Sequence, residues 1–228
     1  MGWGGGLSDR VCLDAQFVFK LPEKITSEIG GKTVGKLTEV GVALVEPLAV
    51  AWHAVEQSAA KAGDNVLVIG AGPIGLAILQ CLKALNTAQV IVAEVAQNRR
   101  DLALHFGAAA AIDPTDEDMV SRCKMLCNWG KEIPFNPDYL LVGEKRLVTG
   151  KPSRKTIAMI RNLADLFRAL SYTSEDFERV IDALDKGTID AEKMITRTIS
   201  MDRVVEDGIL ALLHEKEKHI KILVDVRK

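Results

Sequence analysis

Short apolar runs bounded by glycine or charge alternate along this chain with longer amphipathic stretches. The clearest run is Val66 to Ile69, whose unbroken apolar character predicts a strand buried on both faces. Gly70-Ala71-Gly72-Pro73-Ile74-Gly75 interrupts it, and Leu76 to Leu85 then predicts a helix. Gln89 to Ala93 forms a second apolar run that stops at Glu94, and Ala110 to Ile112 a third, shorter one. Arg146 to Thr149 and Leu170 to Tyr172 read as further strand candidates. Near the C-terminus, Thr173 and Ser174 precede Glu175, Asp176 and the apolar-periodic Phe177 to Leu184, and Gly187 follows: a capped helix with a glycine stop. Asp202 to Leu213 predicts another helix, with Val204, Val205, Ile209, Leu212 and Leu213 on its buried face. His219 to Asp225 reads as a closing strand. Val11 to Leu21 alternate imperfectly and read as strand-like, Pro22 and Glu23 begin a turn, and Gly30 to Gly41 reads as a polar loop. Ile160, Leu163, Phe167 and Leu170 recur at helical spacing within Ile157 to Leu170. Strands alternating with helices predict an α/β fold around a parallel sheet.

Composition narrows the class. Hydrophobic residues make up 48% and charged residues 26% of the 228, ordinary for a globular chain of one large or two small domains. A net charge of −2 argues against nucleic-acid and acidic-membrane partners. No apolar run spans a bilayer without a charge or a helix breaker. No signal peptide is visible, and Gly6 stands where an N-myristoylation motif requires Ser or Thr, so a cytoplasmic location is expected. The four cysteines, Cys12, Cys81, Cys123 and Cys127, are too sparse for a disulfide framework. Cys123 and Cys127 sit at helix-like spacing, but no second pair or nearby histidine completes a metal site, and free thiols are expected. His105, His214 and His219 lie among charges or at helix ends and read as structural or solvated. Gly31-Lys32-Thr33 imitates the end of a phosphate-binding loop, yet Thr26 occupies the position where that motif needs its first glycine.

The chemistry concentrates in residues 65–94. Strand, G-x-G-x-x-G and helix in that order are the context of a dinucleotide fingerprint. There Gly70 allows the tight turn, Gly72 lets backbone approach a pyrophosphate, and Gly75 lets helix pack on strand. The helix N-terminus adds free N–H groups and a partial positive charge. Glu94 lies 24 positions after Gly70, close to the spacing at which an acid accepts hydrogen bonds from an adenosine ribose. A carboxylate there also repels a 2′-phosphate, favouring NAD over NADP. The competing reading is a plain glycine turn and a solvated glutamate. In Ala43 to Val55, only Glu46 and His53 interrupt an apolar segment. A buried Glu46 needs a metal, a base or backbone donors as partner; alternatively it is an exposed glutamate at a helix start.

Gly4-Gly-Gly-Leu-Ser, Val18-Phe-Lys-Leu-Pro, the segment Ala43 to Val55 and the Gly70 to Gly75 fingerprint resemble the zinc-containing medium-chain alcohol and polyol dehydrogenases. The branch they look most like is the 2,3-butanediol dehydrogenases. Ile133-Pro-Phe-Asn-Pro, Gly143-Glu-Lys, Leu170-Ser-Tyr-Thr, Glu192 to Arg197 and His219 to Asp225 agree, in family order. The resemblance implies an incomplete Rossmann-type doubly wound parallel sheet, with remnants of a GroES-like β catalytic domain at both chain ends. It implies residues 1–48 and 187–228 in the catalytic part and 49–186 in an NAD-binding domain, with an insertion near 150–169. It assigns Gly70, Gly72, Pro73, Ile74 and Gly75 to the pyrophosphate turn and Glu94 to the ribose. Arg99 goes to the adenosine end, Leu170, Ser171 and Tyr172 to the nicotinamide side, and Glu46 to zinc.

The activity implied is NAD-dependent interconversion of a secondary alcohol or diol and a ketone, in a homo-oligomeric family with small-molecule substrates. The departures imply as much. The family's cysteine and histidine zinc ligands, its structural-zinc lobe and two strands on the nicotinamide side have no counterpart in the chain. Gly30 to Gly41 and Lys151 to Arg168 look inserted. A truncated, internally rearranged product is therefore expected, one that keeps NAD binding, retains no zinc and lacks turnover. The alternative function is a dinucleotide-binding remnant without catalysis; a methyltransferase with a Rossmann-like fold is disfavoured by Gly75 and by the segments after residue 130.

Overall fold

The computed structural model describes residues 6–8, 11–22, 38–58, 60–127, 140–142, 172–190, 192–215 and 217–227. They fall into two compact units, one Val45–Val180, the other Met1–Leu44 with Ile181–Lys228.

In the first unit, helix α2 (Val45–Gln57) leads to strand β1 (Asn65–Ile69). Helix α3 (Pro73–Ala84), strand β2 (Gln89–Ala93) and helix α4 (Gln97–His105) follow. Strand β3 (Ala110–Ile112), helix α5 (Met119–Leu126) and strand β4 (Leu140–Val142) complete the order. The strands pair in parallel in the order β3-β2-β1-β4. That is the order of one half of a doubly wound sheet, reversing direction at β1. The expected α/β fold with a partial Rossmann-like parallel sheet is what forms.

Both faces of the central strands are covered, as their unbroken apolar sequences require. Leu67, Ile91, Ala93 and Ile112 pack with Cys123 of α5, and Ile69, Ala110, Met119 and Leu126 border that cluster. On the opposite face, Val66, Val68, Val90 and Val92 are buried too. There α3 approaches closely, because Gly75 carries no side chain above Val68. The α3 helix starts at Pro73, three residues before the expected Leu76, with Pro at the first helical position where its missing N–H costs nothing. Helix α2 packs on α3.

The structure corrects several expectations. Strand β4 was not anticipated, although Leu140-Leu141-Val142 pair with Leu67, Val68 and Ile69. Tyr172 lies in no strand; it precedes helix α6 (Ser174–Lys186). Arg146 to Thr149, Gly31 to Thr33, Lys151 to Arg168, Leu170 and Ser171 lie outside the described residues. The capped helix is present: Thr173 N–H donates to Asp176 Oδ2 at 2.7 Å, and Asp176 N–H donates back to the Thr173 hydroxyl at 3.3 Å. Gly187 ends the helix at φ 65°.

In the second unit, Val11 to Leu21 hold no strand. Asp14 caps a single 3-10 turn, Ala15–Phe17, and Val11, Leu13, Phe17 and Val18 are exposed. Among the described residues no strand lies beside it to complete a ladder, so the alternation has nothing to pair with there. The end of the Gly30 to Gly41 loop is helical: α1 (Glu39–Val42) begins behind Thr38, whose hydroxyl accepts from Gly41 N–H at 2.9 Å. Strands β5 (Ile195–Ser200) and β6 (Lys221–Asp225) form a two-stranded parallel sheet, of which β5 was unforeseen. A bulge at Thr196 is filled by its own hydroxyl, which donates to Lys221 O at 3.1 Å.

The helix expected over Asp202 to Leu213 is split into a 3-10 turn (Met201–Arg203), a π-helical stretch (Val204–Leu210) and helix α7 (Ala211–His214). Its expected buried face is wrong: Val205, Ile209, Leu212 and Leu213 are exposed and Val204 is half-buried, while Gly208 and Ala211 are buried. The i→i+5 pattern turns each residue through a smaller angle than an α-helix does. A phase computed for α-helix therefore drifts off the true inward side. Gly208 faces Ile199 there, and a Cβ at Gly208 would sit 3.1 Å from the Ile199 Cδ1 methyl, a tight contact.

None of the described cysteines is paired. Burial pushes the Cys81 thiol far up and lifts Cys123 to about 11, with smaller contributions at Cys123 from Cys127, Glu117 and Asp118. Cys127 is also raised by burial. All three are unreactive as thiolates at neutral pH. Among the described residues no helix is long and apolar enough to cross a membrane.

Candidate functional site

The sheet register puts the end of each strand in a row. Ile69 pairs with Ala93, and Ala93 with Ile112. The residues that follow, Gly70, Glu94 and Asp113, therefore leave the sheet side by side at its carboxyl edge. In open parallel sheets, that edge beside the point of reversal is where ligands bind.

Gly70 turns the chain at φ 98°, a conformation side chains disfavour, and its N–H donates to Ala93 O at 2.7 Å. A Cβ at Gly75 would penetrate the Gly70 carbonyl oxygen and sit 2.9 Å from its carbon. Gly72 differs: nothing lies within 4 Å of a Cβ built there, so its outer side is open. The first intrahelical bond of α3 runs from Leu76 N–H to Gly72 O. The N–H groups of Ile74 and Gly75 thus have no partner inside the helix, and α3 points its positive end at the open side of Gly72.

Glu94 is buried, at 8% exposure. Its Oε2 accepts from Ala71 N–H at 2.8 Å, and its Oε1 from Ala96 N–H at 3.0 Å. The acid therefore faces the middle of the glycine turn, held by amides on both sides. Two charge-assisted bonds offset the cost of burying it. Open backbone at Gly72, free helix N–H groups and an anchored carboxylate one strand away fit a dinucleotide: phosphates over the turn, ribose hydroxyls on Glu94. Arg99 stands in the first turn of α4, partly buried.

Its neighbour Arg100 went unnoticed in the sequence, yet it braces the site. Its guanidinium donates to Glu94 O at 2.8 Å, Val95 O at 2.7 Å and Gln97 Oε1 at 2.6 Å. It also pairs with Asp113 Oδ2 at 2.7 Å. Two adjacent arginines look alike in sequence; only the helix phase set by the β2–α4 turn decides which one points inward.

Elsewhere in the same unit, Glu46 is exposed in the first turn of α2. The structure thus favours the helix-start reading of Glu46 over the buried one. Burial first, and the Glu46 carboxylate second, raise the Tyr172 phenol, so two residues assigned to the reacting end do lie within electrostatic reach. The Tyr172 ring packs on Phe177 at 4.8 Å between centroids. His53, on the same helix as Glu46, is buried and bonds through Nδ1 to Asp176 Oδ2 at 3.0 Å. Thr173 donates to that same oxygen through both N–H and hydroxyl. Among the described residues no group of three or more His, Cys, Asp or Glu side chains could hold a metal ion. An exposed Glu46 does not by itself fit zinc, which takes about three protein ligands at a catalytic site.

Residues 73–138 match the family described as zinc-binding dehydrogenase. The (R,R)-butanediol dehydrogenase of Neisseria gonorrhoeae is 32% identical, over 98% of this chain and 64% of that protein. The enzyme of the same name from Bacillus subtilis is 30% identical, over 98% of this chain and 65% of that one. The crystal structure of 2R,3R-butanediol dehydrogenase from Bacillus subtilis superposes with a TM-score of 0.72 at 26% identity, covering 97% of this chain and 64% of that one. An alcohol dehydrogenase from Escherichia coli, solved with NADH, shares the fold at a TM-score of 0.68 and 24% identity, over 93% of this chain and 63% of that one. The chain thus spans just under two thirds of the length of the relatives it matches.

Proposed function

We propose that this chain, whose residues 73–138 match the zinc-binding dehydrogenase family, is a member of that family and binds NAD at the carboxyl edge of its parallel sheet. Gly70, Gly72, Pro73, Ile74 and Gly75 cradle the pyrophosphate. Glu94 receives the adenosine ribose, and Arg99 lies at the adenosine end. The domain reading goes with it: residues 49–186 bind the cofactor, and 1–48 and 187–228 are parts of a catalytic lobe. The observation that carries the proposal is Glu94, buried and held by Ala71 N–H across from the open side of Gly72.

The parent reaction, suggested by relatives named butanediol dehydrogenase, interconverts a secondary alcohol or diol and a ketone in a small-molecule substrate. NAD, when bound, supplies the hydride acceptor for that chemistry. Tyr172, with Leu170 and Ser171, is assigned to the nicotinamide side, where the Glu46 carboxylate lies within electrostatic reach of the Tyr172 phenol.

Calorimetry tests the cofactor reading. The purified chain should bind NADH more tightly than NADPH. Glu94→Ala should narrow that preference, because it removes both the ribose acceptor and the charge that repels a 2′-phosphate. Equal affinities for the two cofactors in the unmutated chain would sink the proposal.

A second reading, a dinucleotide-binding chain without turnover, is favoured by the exposed position of Glu46 at a helix start. It predicts no stoichiometric zinc by elemental analysis and no NADH formed from 2,3-butanediol. Stoichiometric zinc together with steady turnover would overturn it and leave the catalytic reading standing.

A further inference from the structure

Cofactor choice at such a site turns on what surrounds the adenosine ribose. An acid at the end of β2 selects the hydroxyl of NAD, whereas an arginine nearby accommodates the 2′-phosphate of NADP. Here both chemistries are present, since Glu94 is followed closely by Arg100. A guanidinium free to reach a phosphate there would work against Glu94.

Arg100 is not free. Its Nη1 donates to the carbonyls of Glu94 and Val95, and its Nη2 donates to the Gln97 side chain. Its charge is matched by Asp113, at 2.7 Å, and both side chains are largely buried, at 12% and 16% exposure. Asp113 is itself fixed. Its other oxygen, Oδ1, accepts from the Thr115 N–H at 3.0 Å and the Thr115 hydroxyl at 2.6 Å. Those bonds first, and Arg100 after them, hold the Asp113 carboxyl below the usual carboxylate range, so it stays ionised at neutral pH. The aligned strand ends put Asp113 directly beside Glu94: Glu94 N–H donates to Ile112 O at 3.0 Å.

We propose that the Arg100–Asp113 pair is a second determinant of cofactor choice. Asp113 withholds the Arg100 guanidinium from a 2′-phosphate, and Arg100, so held, braces the 94–96 segment that presents Glu94. The inference rests on the NAD-binding reading above and names two positioning residues within it. Glu94 repels the phosphate directly, while Asp113 keeps the nearest braced cation turned away from it. Without Asp113, Arg100 keeps only neutral acceptors, and a 2′-phosphate becomes its strongest available partner.

The test is a pair of dissociation constants, for NADH and NADPH, measured by calorimetry on the full chain and its variants. Asp113→Asn should shift the affinity ratio toward NADPH by about tenfold, the worth of one charge-assisted hydrogen bond. Removing the guanidinium as well, in Arg100→Ala/Asp113→Asn, should abolish that gain in NADPH affinity. Thermal melting by circular dichroism confirms that each variant is folded, and Asp113→Ser takes the place of the amide should Asp113→Asn fail to fold. An unchanged ratio in a folded Asp113 variant overturns the inference while the NADH preference of the parent stands. So does a gain that survives loss of Arg100, or equal weakening of both cofactors. A parent chain with no NADH preference removes the underlying reading, and this inference with it.

Discussion

Replacing Gly75 with alanine should destabilise the chain by about 1–3 kcal/mol in urea denaturation, the usual cost of overpacking, and should abolish measurable NADH binding. Alanine is a better helix former than glycine by about 1 kcal/mol, so propensity alone predicts the opposite sign. Geometry decides. The added methyl would overlap the Gly70 carbonyl oxygen, a backbone atom, and Val68 closes the site from below at 3.8 Å. Gly70 cannot swing aside cheaply, because its φ of 98° and its bond to Ala93 O define the turn. Either α3 lifts from β1 or the turn opens, and in both cases the N–H groups of α3 lose their aim.

Gly72→Ala is the matching control. Nothing lies within 4 Å of its new methyl, so folding should be unaffected, yet the methyl projects where the pyrophosphate is proposed to lie. Loss of NADH binding with unchanged stability is expected there. Parent-like stability and affinity in Gly75→Ala would show that helix and strand are not packed through this glycine.

What the sequence revealed and what it hid divide along one physical line. The β1–turn–α3 unit was legible because its constraints are local. An apolar run bounded by glycines admits few conformations, and G-x-G-x-x-G is spaced for a turn that enters a helix. Helix α6 was legible for the same reason, with Thr173 and Asp176 capping one end and Gly187 the other. Strand β4 was not, since Leu140–Val142 is too short to show a period and is a strand only because β1 lies beside it. Val11 to Leu21 erred in the opposite sense: the local pattern suggested a strand, and no partner among the described residues completes one. At Val204–Leu210 the apolar positions were read at α-helical phase, and the wider π-helical turn moved Gly208 and Ala211 inward instead.

The site divides in the same way. Glu94 could be placed by its distance from Gly70, but its bonds to Ala71 and Ala96 belong to the folded turn. Arg100 and Asp113 are ordinary charged residues in sequence, and only the alignment of β2 with β3 brings them together. His53 stood out as polar within an apolar run. Its partner Asp176 is 123 positions away, so no local pattern could name it.

That buried pair carries the largest stability effect expected in the chain. His53→Leu should lower the unfolding free energy by about 3–5 kcal/mol, the cost of breaking a buried ion pair or its hydrogen-bonded equivalent by removing one partner. Asp176 is fully buried, and its Oδ1 already lacks a partner among the described residues. Its Oδ2 would keep the two Thr173 donors and lose the imidazole. The position of Asp176 in the first turn of α6 favours its charge, but a helix terminus contributes only about 0.3–1 kcal/mol and cannot replace His53. Removing both partners, in His53→Leu/Asp176→Leu, leaves no stranded carboxylate. The double variant should therefore be more stable than His53→Leu alone, even after losing the cap worth about 1 kcal/mol that Asp176 shares with Thr173. Urea denaturation of the two single variants and the double one closes the cycle. A loss below about 1 kcal/mol in His53→Leu, or a double variant as unstable as the sum of the singles, would mean that the two side chains do not act as a pair.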